Sequence, residues 1–293
     1  MSVPACIDLL HLDLEGAIAC YLLDAEEPTI VDPGPSTTLD RLIQQLDSYG
    51  IGSADLRHIM LTHIHLDHSG ATGHLVERFP GVTVHVHKDA TTHMVNPERL
   101  VASTRRTFGD SHDRLWGDVK PVPPGRINSW GPGDPGPWKG LRPESTPGHI
   151  SHHVAYLDER DGMLFAGDSM GIVLSGSPPY GATPPPAVDL KAWHETLEEI
   201  RIIGPECFAA THFGFRSDVE SCRIQFKKHL QALEDRVRAC MRSGDESDMQ
   251  AFGQEVRDEL EGFLGMDKTT KFLEVFPPAT DWAGVAFYLE RNS

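Results

Sequence analysis

Three histidines and an aspartate stand within six positions of this chain, in Thr62-His63-Ile64-His65-Leu66-Asp67-His68-Ser69-Gly70. Imidazole nitrogens and carboxylate oxygens suit a divalent transition metal, zinc above all, with iron and manganese also accepted. A lone histidine would be a core or surface residue; four donors this close together read as ligands. Residues two apart point the same way while the backbone is extended, so His63 and His65 aim at one point. Where the chain curls into a helix, Asp67 and His68 aim at a neighbouring one.

The flanking residues set that geometry. Residues 56–61 are rich in large apolar side chains and read as a buried strand. Residues 71–79 carry apolar or small residues at helical spacing, with Gly81 as a stop. The cluster therefore lies on a strand-to-helix turn. Three further donors flank predicted strands: His149 in Thr146-Pro147-Gly148-His149, Asp168 in Ala166-Gly167-Asp168-Ser169, and His212 in Thr211-His212-Phe213-Gly214. A small residue beside each permits near approach of the backbone to a buried point. His152 and His153 are candidates for orienting partners of these ligands. His85 and His87 lie on a strand pattern and read as facing solvent or a packed edge.

The rest of the chain reads as alternating strands and helices. Residues 6–12, 17–23 and 29–31 are strand-like, and Ser36 offers a cap to a helix bearing Leu39, Leu42, Ile43 and Leu46. Residues 82–86, 153–157, 163–166 and 207–210 are further strands, with an Asp161-Gly162 hairpin turn between the second and third. Residues 94–124 are weakly periodic and read as an irregular binding loop or lid. Residues 125–140 read as turns, and the proline-rich residues 171–188 as a stiff loop. A helix spans 190–203. A stripe of Phe226, Leu230, Leu233, Val237 and Met241 marks a helical tail that continues through 249–264. Thr280 or Asp281 caps a last short element, helix or strand. This order predicts a layered, mixed α/β architecture, with a core over residues 1–216 and a mostly helical extension over 217–293. The extension is expected to support a lid or a homo-oligomer without ligating metal, and its His229, beside Lys227 and Lys228, reads as a solvated helix residue.

With 39% hydrophobic residues in 293, the chain can bury a full core. A formal charge of −17 disfavours nucleic acid and anionic membranes as partners. Residues 1–10 lack a basic region and do not resemble a signal peptide, and no stretch of about 18 uncharged apolar residues could span a membrane. The five scattered cysteines, with no CxxC, fit reduced thiols in a cytoplasmic protein.

The run HIHLDH, followed by separate His149, Asp168 and His212, resembles the metallo-β-lactamase-fold hydrolase superfamily. The resemblance covers roughly residues 6–214 and includes Val31-Asp32-Pro33-Gly34, similar to the family's early aspartate-glycine turn. It implies an αββα sandwich of two mixed β-sheets, followed here by the helical C-terminal extension. It further implies two divalent metal ions, one held by His63, His65 and His149, the other by Asp67, His68 and His212, with Asp168 bridging. Asp32 would hydrogen-bond the ligand loop. The chain also departs from particular members. Class B β-lactamases lack the bridging aspartate and are exported. The quorum-quenching lactonases carry a tyrosine just after that aspartate, where this chain has Ser169-Met170-Gly171. The tail shows no match to the glutathione-binding residues of glyoxalase II.

Two divalent cations about 3.5–4 Å apart share a hydroxide whose parent water has its pKa lowered toward ~7. Asp67 would relay a proton to the leaving group. With such a hydroxide as nucleophile, a Ser-His-Asp triad is not needed. The expected reaction is hydrolysis of a small ester, thioester or lactone. The competing readings are a phosphodiesterase or nuclease, and a mononuclear iron dioxygenase of the same fold. Residues 108–116 and the surroundings of Tyr180 are expected to wall the cleft, with Arg105 or Arg106 anchoring an acidic substrate group.

Overall fold

A computed structural model describes residues 4–23, 27–131, 133–136, 139–174, 177, 179–244 and 247–292. Parts of the turn reading over 125–140 (132, 137 and 138), of the proline-rich loop (175, 176 and 178) and of the N-terminal reading (1–3) lie outside these residues. The chain divides into two units, Met1–Glu144 and Ser145–Ser293.

The first unit is built on a six-stranded sheet with strands in sequence order: β1 (Ala5–Asp8), β2 (Ala19–Leu23), β3 (Thr29–Val31), β4 (His58–Met60), β5 (Thr83–His87) and β6 (Ile127–Trp130). The first three pair antiparallel and the last four parallel, so the sheet is mixed. Every residue of β2 and β3 is buried, as a covered strand requires. Parallel neighbours need crossovers, which the helices supply. Helix α1 (Leu39–Ser48) joins β3 to β4 and buries Leu42 and Leu46, four residues apart on one face. The short α2 (Leu66–Ser69) and α3 (Thr72–Arg78) join β4 to β5. The next crossover holds α4 (Thr91–Val95), α5 (Glu98–Phe108) and α6 (His112–Trp116).

Two sequence expectations change here. Residues 94–124 are largely helical. Helix α5 buries no residue fully, so only a weak apolar stripe marks it in the sequence. Residues 127–130, expected as turns, form β6 because β5 offers them a parallel edge in the register Val84 to Ile127 and His87 to Trp130. Ser36 does not cap α1; its hydroxyl donates to the Trp116 carbonyl at 2.9 Å.

The second sheet has the order β11-β10-β9-β8-β7, with β7 at Leu141–Ser145, β8 at Val154–Asp158, β9 at Met163–Gly167, β10 at Cys207–Ala210 and β11 at Gly214–Arg216. Strands β8 and β9 form the expected antiparallel hairpin, β9 and β10 run parallel, and β11 turns back antiparallel. Helix α7 (Leu190–Ile203) is the crossover between the parallel pair. The Asp189 carboxylate caps it by accepting from the Ala192 N–H, and Gly204 closes it in the left-handed region.

The tail is helical throughout most of its described residues: α8 (Val219–Ser243), α9 (Ser247–Leu264), α10 (Met266–Val275) and α11 (Pro278–Arg291). The stripe Phe226, Leu230, Leu233 and Val237 is buried as its spacing predicts, but Met241 is 43% exposed. The last element is a helix that starts at Pro278, so neither Thr280 nor Asp281 is its cap. Proline at the first helical position gives up an N–H that would be unpaired there anyway. The two mixed sheets and the C-terminal helices agree with the fold class expected from the sequence. No helix among the described residues is long and apolar enough to cross a membrane, and the five cysteines are free thiols.

Candidate metal centre

In the first unit the ligand cluster leaves the end of β4, beside the end of β3. The parallel register pairs Val31 with Met60, so Asp32, one residue on, and Thr62, two residues on, emerge close together. The Asp32 N–H donates to the Met60 carbonyl at 3.0 Å, and the Gly34 N–H donates to the His68 carbonyl at 3.0 Å. Asp32 holds a left-handed backbone (φ 50°), which costs a non-glycine residue about 1–3 kcal/mol. Three hydrogen bonds offset that cost. Oδ1 accepts from the Thr62 N–H at 2.9 Å, while Oδ2 accepts from the Thr62 hydroxyl at 2.7 Å and from His68 Nδ1 at 2.8 Å.

These bonds determine which ring nitrogens are bare. An ionised carboxylate only accepts, so His68 Nδ1 carries the proton and a neutral His68 ring keeps its Nε2 lone pair. That Nε2 lies 3.7 Å from Asp67 Oδ2. Because the Thr62 hydroxyl gives its proton to Asp32, it accepts from His63 Nδ1 at 3.2 Å, leaving His63 Nε2 bare, 2.9 Å from His65 Nδ1. His63 and His68 are fully buried.

In the second unit the three strand-flanking donors lie at one end of the sheet. Asp168 follows β9 and His212 lies just beyond parallel β10. His149 precedes β8, whose start lies at the same end because β8 runs antiparallel to β9. The Asp168 carboxylate reaches both histidines: Oδ2 is 3.2 Å from His149 Nε2 and Oδ1 is 3.5 Å from His212 Nε2. His149 Nδ1 donates to the Ala182 carbonyl at 2.6 Å, so Nε2 of the neutral ring faces the carboxylate with a lone pair. All three residues are at most 2% exposed.

Helix α7 fixes two of these loops at once. Trp193 Nε1 donates to the Ser169 carbonyl at 3.0 Å, the Thr196 hydroxyl donates to the Pro147 carbonyl at 2.6 Å, and the Asp189 N–H donates to the Gly148 carbonyl at 2.7 Å. Gly148 must be glycine: its φ is +144° and a Cβ would lie 2.4 Å from Trp193 Cβ. His153 Nε2 accepts from the Asp168 N–H at 3.1 Å, and its Nδ1 lies 2.7 Å from the Thr146 hydroxyl.

Both half-sites fit a divalent cation. Two donors each about 2.0–2.1 Å from a tetrahedral ion lie roughly 3.3 Å apart. The separations of 2.9, 3.2 and 3.5 Å bracket that value, and at 3.2 Å the Nε2 lone pair of neutral His149 faces an Asp168 carboxylate oxygen. Lone pairs facing across such distances repel unless a proton or a cation lies between them. Carbonyl and carboxylate acceptors on the far nitrogens of His68 and His149 are the partners that orient ligand histidines.

The structure corrects several assignments outside this set. His85 and His87 are buried, at 2% and 6% exposure, because β6 covers the edge they were expected to face. His85 Nε2 lies 2.9 Å from His58 Nδ1, and burial followed by the neighbouring His58 pushes its pKa down to about 3. His229 is half-buried, accepting from the Gly181 N–H at 3.3 Å, with burial lowering its pKa to about 4. Arg105 pairs its guanidinium with Asp113, at 2.6 Å. Trp116 stacks on His11 at 5.5 Å between ring centroids. Thr62, Trp193, Thr196 and the Ala182 carbonyl were not read as site residues. Thr62 adjoins the cluster and was within reach of inspection, whereas a backbone carbonyl has no sequence signal.

The metallo-beta-lactamase superfamily model matches residues 14–212. The chain belongs to that superfamily. Its similarity to the protein YobT of Bacillus subtilis (strain 168) is 29% identity over 230 residues, covering 72% of this chain and 90% of YobT. A hydroxyacylglutathione hydrolase of Legionella pneumophila (strain Lens) is 22% identical over 210 residues, covering 72% of this chain and 69% of the relative. Among solved structures, a metallo-beta-lactamase family protein of Thermus thermophilus superposes with a TM-score of 0.65 at 22% identity, covering 94% of this chain and 89% of the other. That likeness shows the fold. Proteins of this superfamily bind divalent metals, and this chain carries a cluster of histidine and aspartate donors that could hold one.

Proposed function

We propose that this chain hydrolyses a small ester, thioester or lactone using two divalent cations. In this reading His63, His65 and His149 hold one ion, Asp67, His68 and His212 hold the other, and Asp168 is shared. The observation that carries it is the Asp168 carboxylate, which offers one oxygen to each of two buried imidazole nitrogens, at 3.2 and 3.5 Å. Zinc suits this donor set, as do iron and manganese. Bound there, such a pair supplies a Lewis acid for the substrate carbonyl and lowers the pKa of a water toward neutrality.

The chain's own groups do the rest. Asp32, through Thr62 and His68, keeps the ligand turn in one arrangement, so no reorganisation is needed during reaction. Asp67 is 14% exposed in its side chain, whereas His68 is wholly enclosed. Asp67 is therefore the carboxylate a substrate can reach, and it takes the proton of the attacking water and hands it to the leaving atom. The −17 charge supports a small substrate over a polyanion. The hydroxyacylglutathione hydrolase relative supports a thioester.

The test is elemental analysis beside a panel of thioester, lactone and phosphodiester substrates and an oxygen electrode. Two metals per chain with thioester or lactone turnover is the expected result. One iron with oxygen consumption, or turnover of phosphodiesters alone, overturns the reading.

A further inference from the structure

Residues 179–188 carry no helix, and their one strand-like feature is an isolated bridge between Ile172 and Tyr180. Yet this segment supplies the Ala182 carbonyl on which His149 Nδ1 depends, at 2.6 Å. Ala182 is held at φ +77°, a left-handed conformation that an alanine does not adopt unaided. Something outside the loop must keep it there.

The C-terminal helices do so. From α11, Asp281 Oδ1 accepts from the Thr183 N–H at 2.7 Å, and the Asp281 carbonyl accepts from the Thr183 hydroxyl at 3.0 Å. From α8, His229 Nε2 accepts from the Gly181 N–H at 3.3 Å. Two glycines allow this approach. A Cβ on Gly284 would lie 1.7 Å from the Thr183 carbonyl oxygen, and one on Gly181 would lie 2.6 Å from Asp281 Oδ2. The helix and the loop are in close contact, and each side of that contact is relieved by a glycine. Burial raises the Asp281 carboxyl to about 6, while the Thr183 donors pull it back down. It is therefore ionised at neutral pH, as an acceptor of several N–H and O–H groups should be.

We propose that Asp281 is a positioning residue for His149. By gripping Thr183 from α11, it holds the Ala182 carbonyl on His149 Nδ1. That contact fixes the ring as the Nδ1–H tautomer, so that Nε2 is presented toward Asp168. The inference rests on the reading of His149 as a metal ligand. It makes the C-terminal helix part of the metal centre's support, although it contributes no ligand.

The test uses the full chain with Asp281→Ala and Asp281→Asn. In metal-free protein, imidazole nitrogen-15 spectra report the His149 tautomer, with the resonance assigned by its loss in His149→Ala. The wild type is expected to show one Nδ1–H tautomer, and Asp281→Ala a mixture with faster exchange of that proton. Zinc titration should show an affinity loss of roughly 10–100-fold in Asp281→Ala. Asp281→Asn, which keeps one acceptor oxygen for the Thr183 N–H, should fall between. If the alanine variant does not fold, the asparagine variant's tautomer decides. An unchanged tautomer and zinc affinity within about twofold of wild type overturn the proposal. The underlying ligand reading fails separately, if His149→Ala itself still binds two zinc ions.

Discussion

Asp32 Oδ2 accepts the Nδ1 proton of His68 at 2.8 Å, and neither side chain is exposed to solvent. A carboxylate taken out of water is costly unless its oxygens are satisfied, and here both are used, on Thr62 and His68. The left-handed turn at Asp32 is thus kept by the ligand cluster that it orients.

Removing that carboxylate should damage both stability and metal binding. Asp32→Ala leaves the His68 and Thr62 donors buried without their acceptor, at about 1–3 kcal/mol for each unsatisfied group. The expected outcome is a loss of roughly 3–5 kcal/mol in chemical denaturation. Zinc affinity should also fall by about 10–100-fold. Equal affinity in a destabilised variant would limit Asp32 to a folding role.

Asp168→Ala tests the shared carboxylate. A bridging anion offsets part of the repulsion between two neighbouring cations and is a ligand to both. Metal content should fall from two per chain toward one, hydrolysis should drop by orders of magnitude, and the fold should persist. Two retained metals with near-normal turnover would make Asp168 a structural turn residue.

Trp193 probes the support given by α7. Trp193→Phe preserves most of the buried ring but leaves the Ser169 carbonyl without the indole N–H now 3.0 Å away. Urea denaturation should show a loss of about 1–2 kcal/mol. The adjoining Asp168 should also bind zinc less tightly. A variant whose stability falls while zinc affinity holds would show that this bond does not position Asp168.

Acid sensitivity should come in part from His85. Its folded pKa of about 3 lies below the ordinary 6.5, because it is buried against His58. The unfolded chain therefore takes up a proton below about pH 6.5 that the folded chain refuses. Stability is fully present above that pH and is lost as pH falls toward about 3. The loss is on the order of 3–5 kcal/mol at the acid end. Asp281, raised to about 6, runs the other way, adding stability as pH falls through that value. The difference between wild type and His85→Asn isolates the histidine. The variant should lose less stability than wild type between about pH 6.5 and 4, and parallel profiles would remove His85 from the account.

The donors proposed to hold metal, and most of the elements that carry them, stand out in residue order alone. HIHLDH is legible because four donors within six residues leave little else for them to do, and the fold follows from local periodicities of about two and 3.6 residues. Helix α7 and the stripe on α8 were readable for the same reason: their apolar faces are continuous along the chain. Folding in three dimensions settled what depended on partners distant in sequence. Strand β6 exists because β5 offers an edge, and His85 is buried because β6 covers it. His229 looked solvated beside two lysines, but faces a loop 48 residues away. The support of His149 left no sequence trace, for it runs through the Ala182 carbonyl, a group every residue possesses, to Asp281, 98 residues beyond Thr183. Side-chain type and spacing identify which groups can bind a metal, whereas the orientation of each ring depends on backbone contacts that only the folded chain brings together.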